Sequence, residues 1–161
     1  MIRISAALCL AASLVACSPN GGTPAPAGAA TPDTGQYMTG LSMQELMAHV
    51  VDHAADGIWL AQGWLIDFEG THELFPTTDE GWMYASNAAV TLAEVSNLLL
   101  LPGRPVDDDP RWIDATHHLY EAAMEAHEMA EVRDKEAFFK AGSAIYEACT
   151  ECHSHYVIGN D

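Results

Sequence analysis

Between residues 41 and 158, apolar residues recur every three or four positions in four successive blocks, each opened by a helix-capping residue. The first block opens at Ser42-Met43-Gln44-Glu45. Ser caps there, and the Glu three positions on reaches back to close a capping box. Met43, Met47, Val50, Ala54 and Ile58 carry this stripe to about Leu65. A polar, Gly-containing loop over 67–76 follows. The second block opens near Thr77 or Thr78, with Thr77-x-x-Glu80 again box-like, and bears Trp82, Ala85, Ala89, Leu92, Val95 and Leu99. Leu101-Pro102-Gly103-Arg104-Pro105 stops it. The third opens at Asp109-Pro110, an Asp N-cap before Pro at the first helical position, and presents Trp112, Ile113, Leu119, Tyr120 and Ala123. The fourth opens near Asp134 and carries Phe138, Ala141, Ile145, Cys149 and Cys152. Nothing in this span alternates at period two, and no β-branched cluster sits between turns. The expected fold is all-α, an antiparallel four-helix bundle with short loops. Each helix would be about 30 Å long.

The remaining residues read differently. Arg3 precedes an apolar stretch over 4–16, which is shorter than the ~20 residues a membrane-spanning helix needs. The stretch ends in Leu14-Val15-Ala16-Cys17, which resembles a bacterial lipobox; the alternative is an ordinary secretory leader with a chance Cys. The expected organisation is a leader over 1–16, a lipid-bearing Cys17 with a Pro/Gly/Ala/Thr tether over 17–40, and one domain over 41–161. That tether has too little apolar surface to offset its ordering entropy. The resemblance implies attachment to the periplasmic side of a bacterial membrane, and Ser18 after the Cys leans toward the outer one.

Charge narrows the partners. The 161 residues hold six Lys and Arg against 23 Asp and Glu, a formal net charge of −17. Phosphate recognition needs clustered cations, so nucleic acid is excluded. Anionic lipid would repel this surface, leaving the anchor as the only expected membrane contact.

Of the four cysteines, Cys9 lies in the leader and Cys17 takes lipid, leaving Cys149 and Cys152 for chemistry. Cys149-Thr150-Glu151-Cys152-His153 is C-x-x-C-H, the attachment signature of haem c. Two thiols three residues apart on a helix face the same way and reach both vinyl groups of one haem. The adjacent His then ligates the iron from the proximal side. Two other chemistries use C-x-x-C. A redox dithiol expects a βαβ setting, and a structural zinc site takes four ligands, which His117, His118 and His127 do not complete by spacing.

The position of this motif, inside the last of four helices, resembles the class II c-type cytochromes, cytochrome c-prime and its six-coordinate low-spin relatives. The matching stretch runs Ile145-Tyr146-Glu147-Ala148-Cys149-Thr150-Glu151-Cys152-His153-Ser154-His155-Tyr156, with an aromatic three residues after the ligand. The resemblance implies one haem c per chain and a distal side facing the first helix. There Met47 is the expected sixth ligand beside His153, with Met43 and His53, or an open position, as alternatives. Two departures stand out. Val157 follows Tyr156 where many members have a basic residue, and Met43 stands where many carry an Arg that pairs a haem propionate. One of Arg104 and Arg111, which flank the loop between the second and third helices, is the expected propionate partner instead.

The implied activity is electron transfer rather than catalysis, with a redox partner that presents a basic docking patch. A five-coordinate binder of NO or CO is the alternative on the same fold, and a haem-free bundle is the third. The resemblance also allows a homodimer through the first two helices. Trp59, Trp64, Trp82 and Trp112 are expected in the core and the haem wall. Asp107-Asp108-Asp109 reads as a solvated run ending in an N-cap, and His117, His118 and His127 read as surface residues. No Ser/His/Asp or Cys/His hydrolase pattern and no Gly-rich phosphate loop is present.

Overall fold

The computed structural model describes residues 37–105 and 109–156. The leader, Cys17 and most of the tether, Asp107, Asp108 and Val157 lie outside the described residues. The chain is mostly helical and carries one small two-stranded sheet. Among the described residues, no helix is long and apolar enough to cross a membrane.

Helix α1 covers 43–59 in three parts: an α-turn Met43–Leu46, a π-helical turn Met47–Val51 and an α-segment Asp52–Trp59. Its capping box forms as the sequence predicts. Ser42 N–H donates to Glu45 Oε2 at 2.9 Å, and Glu45 N–H donates to Ser42 Oγ at 3.2 Å. The π-turn was not expected. It is closed by Asp52 N–H donating to the carbonyl of Met47. Its cause is the spacing of the apolar residues. Leu46 and Val51, five positions apart, are both buried in the core, and Ala54, Ala55 and Ile58 continue the buried face. A regular helix would turn Val51 away from Leu46; one residue in excess brings both inward. The core therefore takes Leu46 and Val51, while Met43, Met47 and Val50 are only partly buried against it.

α1 ends six residues before the expected Leu65. The turn that follows contains Gly63 at φ +93, a left-handed value open to glycine at little cost. Strands β1 (Trp64–Asp67) and β2 (Gly70–Glu73) then pair as an antiparallel hairpin, with Asp67 opposite Gly70. The mostly helical chain is compatible with the expected all-α class, but a small ribbon over 64–73 stands where helix to about Leu65 and a loop over 67–76 were expected. The ribbon hid because every residue of both strands is exposed, so no face alternates. Asp67 Oδ1 instead accepts from Glu69 N–H at 2.8 Å and Gly70 N–H at 3.2 Å and closes the turn. The Trp64 ring holds the ribbon down, with its centroid 5.4 Å from both Phe75 and Phe139.

Helix α2 (Asp79–Leu99) is capped by Thr78, whose hydroxyl accepts from Gly81 N–H at 3.1 Å, rather than by a box on Thr77. All six residues of its expected apolar face are buried. Helix α3 (Pro110–Val132) starts on the Asp109 cap, as expected. Of its predicted face, Trp112, Leu119 and Ala123 are buried, whereas Ile113 and Tyr120 are exposed. Alanines at 115, 122, 126 and 130 fill the seam instead and let neighbouring helices approach closely. Helix α4 (Lys135–His155) is capped by Asp134 and fully buries Phe138, Ala141 and Ile145.

α3 packs against both α2 and α4, and α1 packs mainly on α2 with a lighter contact to α4. A Cβ on Gly57 would stand 2.7 Å from Ala88 Cβ, so α1 and α2 approach closely at this glycine. His127 is not a plain surface residue. Ser86 Oγ, buried on α2, donates to Glu131 Oε1 at 2.7 Å and lies 2.9 Å from His127 Nδ1. The hydroxyl has one hydrogen, which goes to the carboxylate, so the His127 Nδ1–H donates to Ser86. The arrangement ties α2 to α3.

Candidate functional site

A cavity of about 840 Å³ opens among the four helices. That volume is within the range of single-ligand sites. α4 brings Cys149, Cys152 and His153 to it. α1 brings Met47, and then Val51, Ala55 and Trp59 at successive four-residue steps. Leu99 from the end of α2 and Ala115 and Leu119 from the start of α3 close the apolar wall. Polar groups on the lining are few, among them Asp52, Thr116 and Tyr156. The Thr116 hydroxyl is already spent on the carbonyl of Trp112 at 2.8 Å.

The two thiols stand one helical turn apart and are half-buried, with no disulfide between them. Burial pushes the Cys149 thiol above its ordinary value, and the neighbouring Cys152 and Asp52 add to the shift. Burial also raises Cys152, with Glu151 contributing. Reactive dithiols and thiolate metal ligands need the opposite shift. His153 lies at the exposed edge of the cavity. Among the described residues, no group of three or more His, Cys, Asp or Glu side chains is placed to hold a metal ion.

The other residues singled out by sequence fall in different places. Met43 packs against the core and does not line the cavity. His53 is exposed and also lies off the lining, as does His49. Arg111 is engaged by Asp109, with its Nε donating to Oδ2 at 2.8 Å. This bond and the Arg111 backbone N–H hold the Asp109 carboxyl well below the usual range. Arg104 donates from Nη1 to the carbonyl of Leu41 at 2.7 Å. Neither arginine lines the cavity. Cys17 lies outside the described residues.

Trp59 lines the cavity, in keeping with its expected place in the wall, whereas sequence reasoning did not single out Asp52 or Tyr146 there. Val51, Ala55 and Trp59 follow Met47 in steps of four, so projecting α1 from its proposed ligand finds them. Trp59 and Tyr146 meet edge to face at 6.5 Å, and Trp59 Nε1 donates to the carbonyl of Gly142 at 3.0 Å. Behind the cavity, Tyr156 packs edge-on against Trp112 at 5.1 Å. Trp112 is buried and donates to the carbonyl of Leu99 at 2.9 Å. Trp64, expected inside, is half-exposed on the hairpin. His118 lies on the surface, with its Nδ1 2.8 Å from Glu151 Oε2.

The residues present fit a covalently held haem: two protonated thiols, an imidazole and a thioether border one apolar space. No family model, curated protein or solved structure matches the chain.

Proposed function

We propose that this chain is a monohaem c-type cytochrome of the class II type, an electron carrier built as an antiparallel four-helix bundle. One observation carries the reading. Met47, Cys149, Cys152 and His153, drawn from helices at opposite ends of the sequence, line the same apolar cavity. The cavity also gathers the start of α1, the end of α2, the start of α3 and the end of α4, which supports up-down alternation of the helices. Cys149 and Cys152 would anchor the macrocycle, and His153 and Met47 would ligate its iron. Haem bound there supplies a one-electron ferric/ferrous couple. The chain's own task is to keep the ligands fixed and water out. Val51, Ala55, Leu99, Ala115 and Leu119 would serve that exclusion, and ligation by a thioether together with an imidazole would raise the potential. The anchor at Cys17 would hold the carrier on the periplasmic side of a bacterial membrane. Its acidity would steer a basic redox partner toward it, with association that slows as salt rises.

A second reading, a five-coordinate NO or CO binder, has its own observation. Val51 and Ala55 offer small apolar walls beside Met47, where a diatomic ligand would fit if the thioether stood aside.

Absorption spectra of the exported protein decide between them. We expect a pyridine haemochrome spectrum of doubly thioether-linked haem and a low-spin ferric state that Met47→Ala turns high-spin. A native high-spin spectrum, indifferent to that substitution, selects the gas binder. Absence of covalent haem refutes both.

A further inference from the structure

Trp59 and Tyr146 border more than the cavity. Midway along α4 they also line a second, more open hollow of about 420 Å³, together with Gln62, Phe139, Ser143 and Glu147. Its hydrogen-bond inventory is lopsided. Two donors are spent: Trp59 Nε1 on the carbonyl of Gly142 at 3.0 Å, and the Ser143 hydroxyl on the carbonyl of Phe139 at 3.2 Å. Acceptors remain. Glu147 is exposed and joins none of the ion pairs among the described residues. Gln62 is 7% exposed, and its Oε1 is buried with no donor among the described residues. The fold gives up helix stability to seat this amide. Gly142, a poor helix former inside α4, leaves open a space where a Cβ would come within 1.8 Å of Gln62 Nε2. A half-turn of the amide, which its broad terminal torsion permits, exchanges nitrogen with oxygen and turns the carbonyl to a guest. Phe139 and Tyr146 leave 42% and 63% of their surface exposed beside it. Aromatic faces attract a cation, as a carboxylate does. Rings, a carboxylate and a free carbonyl together select a cation that carries N–H groups. Guanidinium meets each demand, because it stacks on aromatic rings, donates through a planar fork and is weakly hydrated.

We propose that this hollow is a guanidinium site that receives an arginine side chain of a partner protein. The proposal goes beyond the haem reading and stands without it. Charge complementarity points to the source. With 23 acidic side chains against six basic ones, this surface draws a basic protein, and arginine is favoured at the buried centres of interfaces. An arginine seated here would rest against the two rings that also border the larger cavity.

The test uses the full chain as isolated, kept reduced with ascorbate and carrying nitrogen-15 in its tryptophans. It runs whether or not a pyridine haemochrome is found, so loss of the haem reading leaves it standing. Ethylguanidinium chloride is titrated at constant ionic strength, and the indole N–H resonance of Trp59, assigned through Trp59→Phe, is followed. Ethylurea serves as the neutral planar counterpart, tetramethylammonium as a cation without N–H, and acetyl-Gly-Arg-Gly-amide as the side chain on a peptide. We expect a saturable shift with ethylguanidinium and with the peptide, and binding about tenfold weaker for ethylurea. Tetramethylammonium should also bind more weakly than ethylguanidinium, because it leaves the Gln62 carbonyl without a donor. Glu147→Gln and Tyr146→Leu should each weaken ethylguanidinium binding about threefold. Glu128→Gln, which removes the same charge from the exposed side of α3, should not. No saturable shift, equal binding of ethylurea, or indifference to both Glu147→Gln and Tyr146→Leu overturns the site. Equal binding of tetramethylammonium overturns the part given to Gln62. Binding of ethylguanidinium without binding of the peptide overturns a partner's arginine as the occupant. Glu147 and Tyr146 are both exposed, so the two deciding variants keep the fold.

Discussion

The two ends of the α4 helix face opposite tasks. Toward its C-terminus, Cys149, Cys152 and His153 join residues of the other three helices around an apolar cavity. Near its N-terminus, an exposed ribbon is held by a few side chains: Trp64 on Phe139, and Lys135 paired with Glu73 while lying 5.6 Å over the Phe75 ring. Cations divide along the same line. At the ribbon end, Lys135 meets Glu73 and Arg133 meets Asp79 at 2.9 Å, both on the surface. At the cavity end, Arg104 Nε is buried and has no acceptor among the described residues. One end is finished within the described residues, and the other has polar capacity to spare.

Substitutions can break this contrast. The largest effect is expected from replacing Cys149 and Cys152 together with Ala. All covalent haem should be lost, whereas exchanging 64–73 for a short Gly-Ser turn should leave haem attachment in place; haem-stained gels read both. Next comes the core between the ends. Phe138→Ala, which empties a fully buried ring site packed on Trp82 at 5.7 Å, should cost about 3–5 kcal/mol in urea unfolding. Phe68→Ser, at a ribbon position 96% exposed, should stay within about 0.5 kcal/mol. Ser86→Ala should fall between them, at about 1–3 kcal/mol, because it strands the His127 donor and deprives Glu131 of its hydroxyl.

The smallest effect concerns pH. The hydrogen bond to Glu151 raises the His118 pKa. The pair therefore stabilises the fold fully below the unfolded histidine value and loses that contribution as pH rises through the raised folded one. Because His118 is exposed, the gain should not exceed about a few tenths of a kcal/mol. His118→Gln should flatten that part of the stability profile, measured as melting temperature across the histidine range.

How much of this was legible depends on whether burial leaves a period in the sequence. α2 was read residue by residue, since Trp82, Ala85, Ala89, Leu92, Val95 and Leu99 keep helical spacing and all go inward. The caps at Ser42, Asp109 and Asp134 were legible because their chemistry is local. The hairpin was not, because β-sheet burial announces itself by alternation and this ribbon buries neither face. On α3 the seam is made by alanines, whose weak apolar signal let Ile113 and Tyr120 pass for core. In the site, the Cys and His positions came from a motif and Met47 from a resemblance. The full wall of the cavity needed coordinates, since which residues of four helices share one space is a property of three-dimensional surroundings.

The π-turn in α1 carries a consequence for how this chain tolerates changes of length. Counted as an α-helix throughout, α1 holds one residue more than its buried face needs, and the wide turn at Met47–Val51 stores the surplus. Its two halves are thus phased separately, and Leu46 on one side of the turn and Ala54, Ala55 and Ile58 on the other all reach the core. A one-residue insertion or deletion in α2 would rotate everything beyond it by about 100° and turn Trp82 or Leu92 toward solvent. In α1 the same event can be absorbed by winding or unwinding a single turn. The first helix is where this architecture can gain or lose a residue and still close its core.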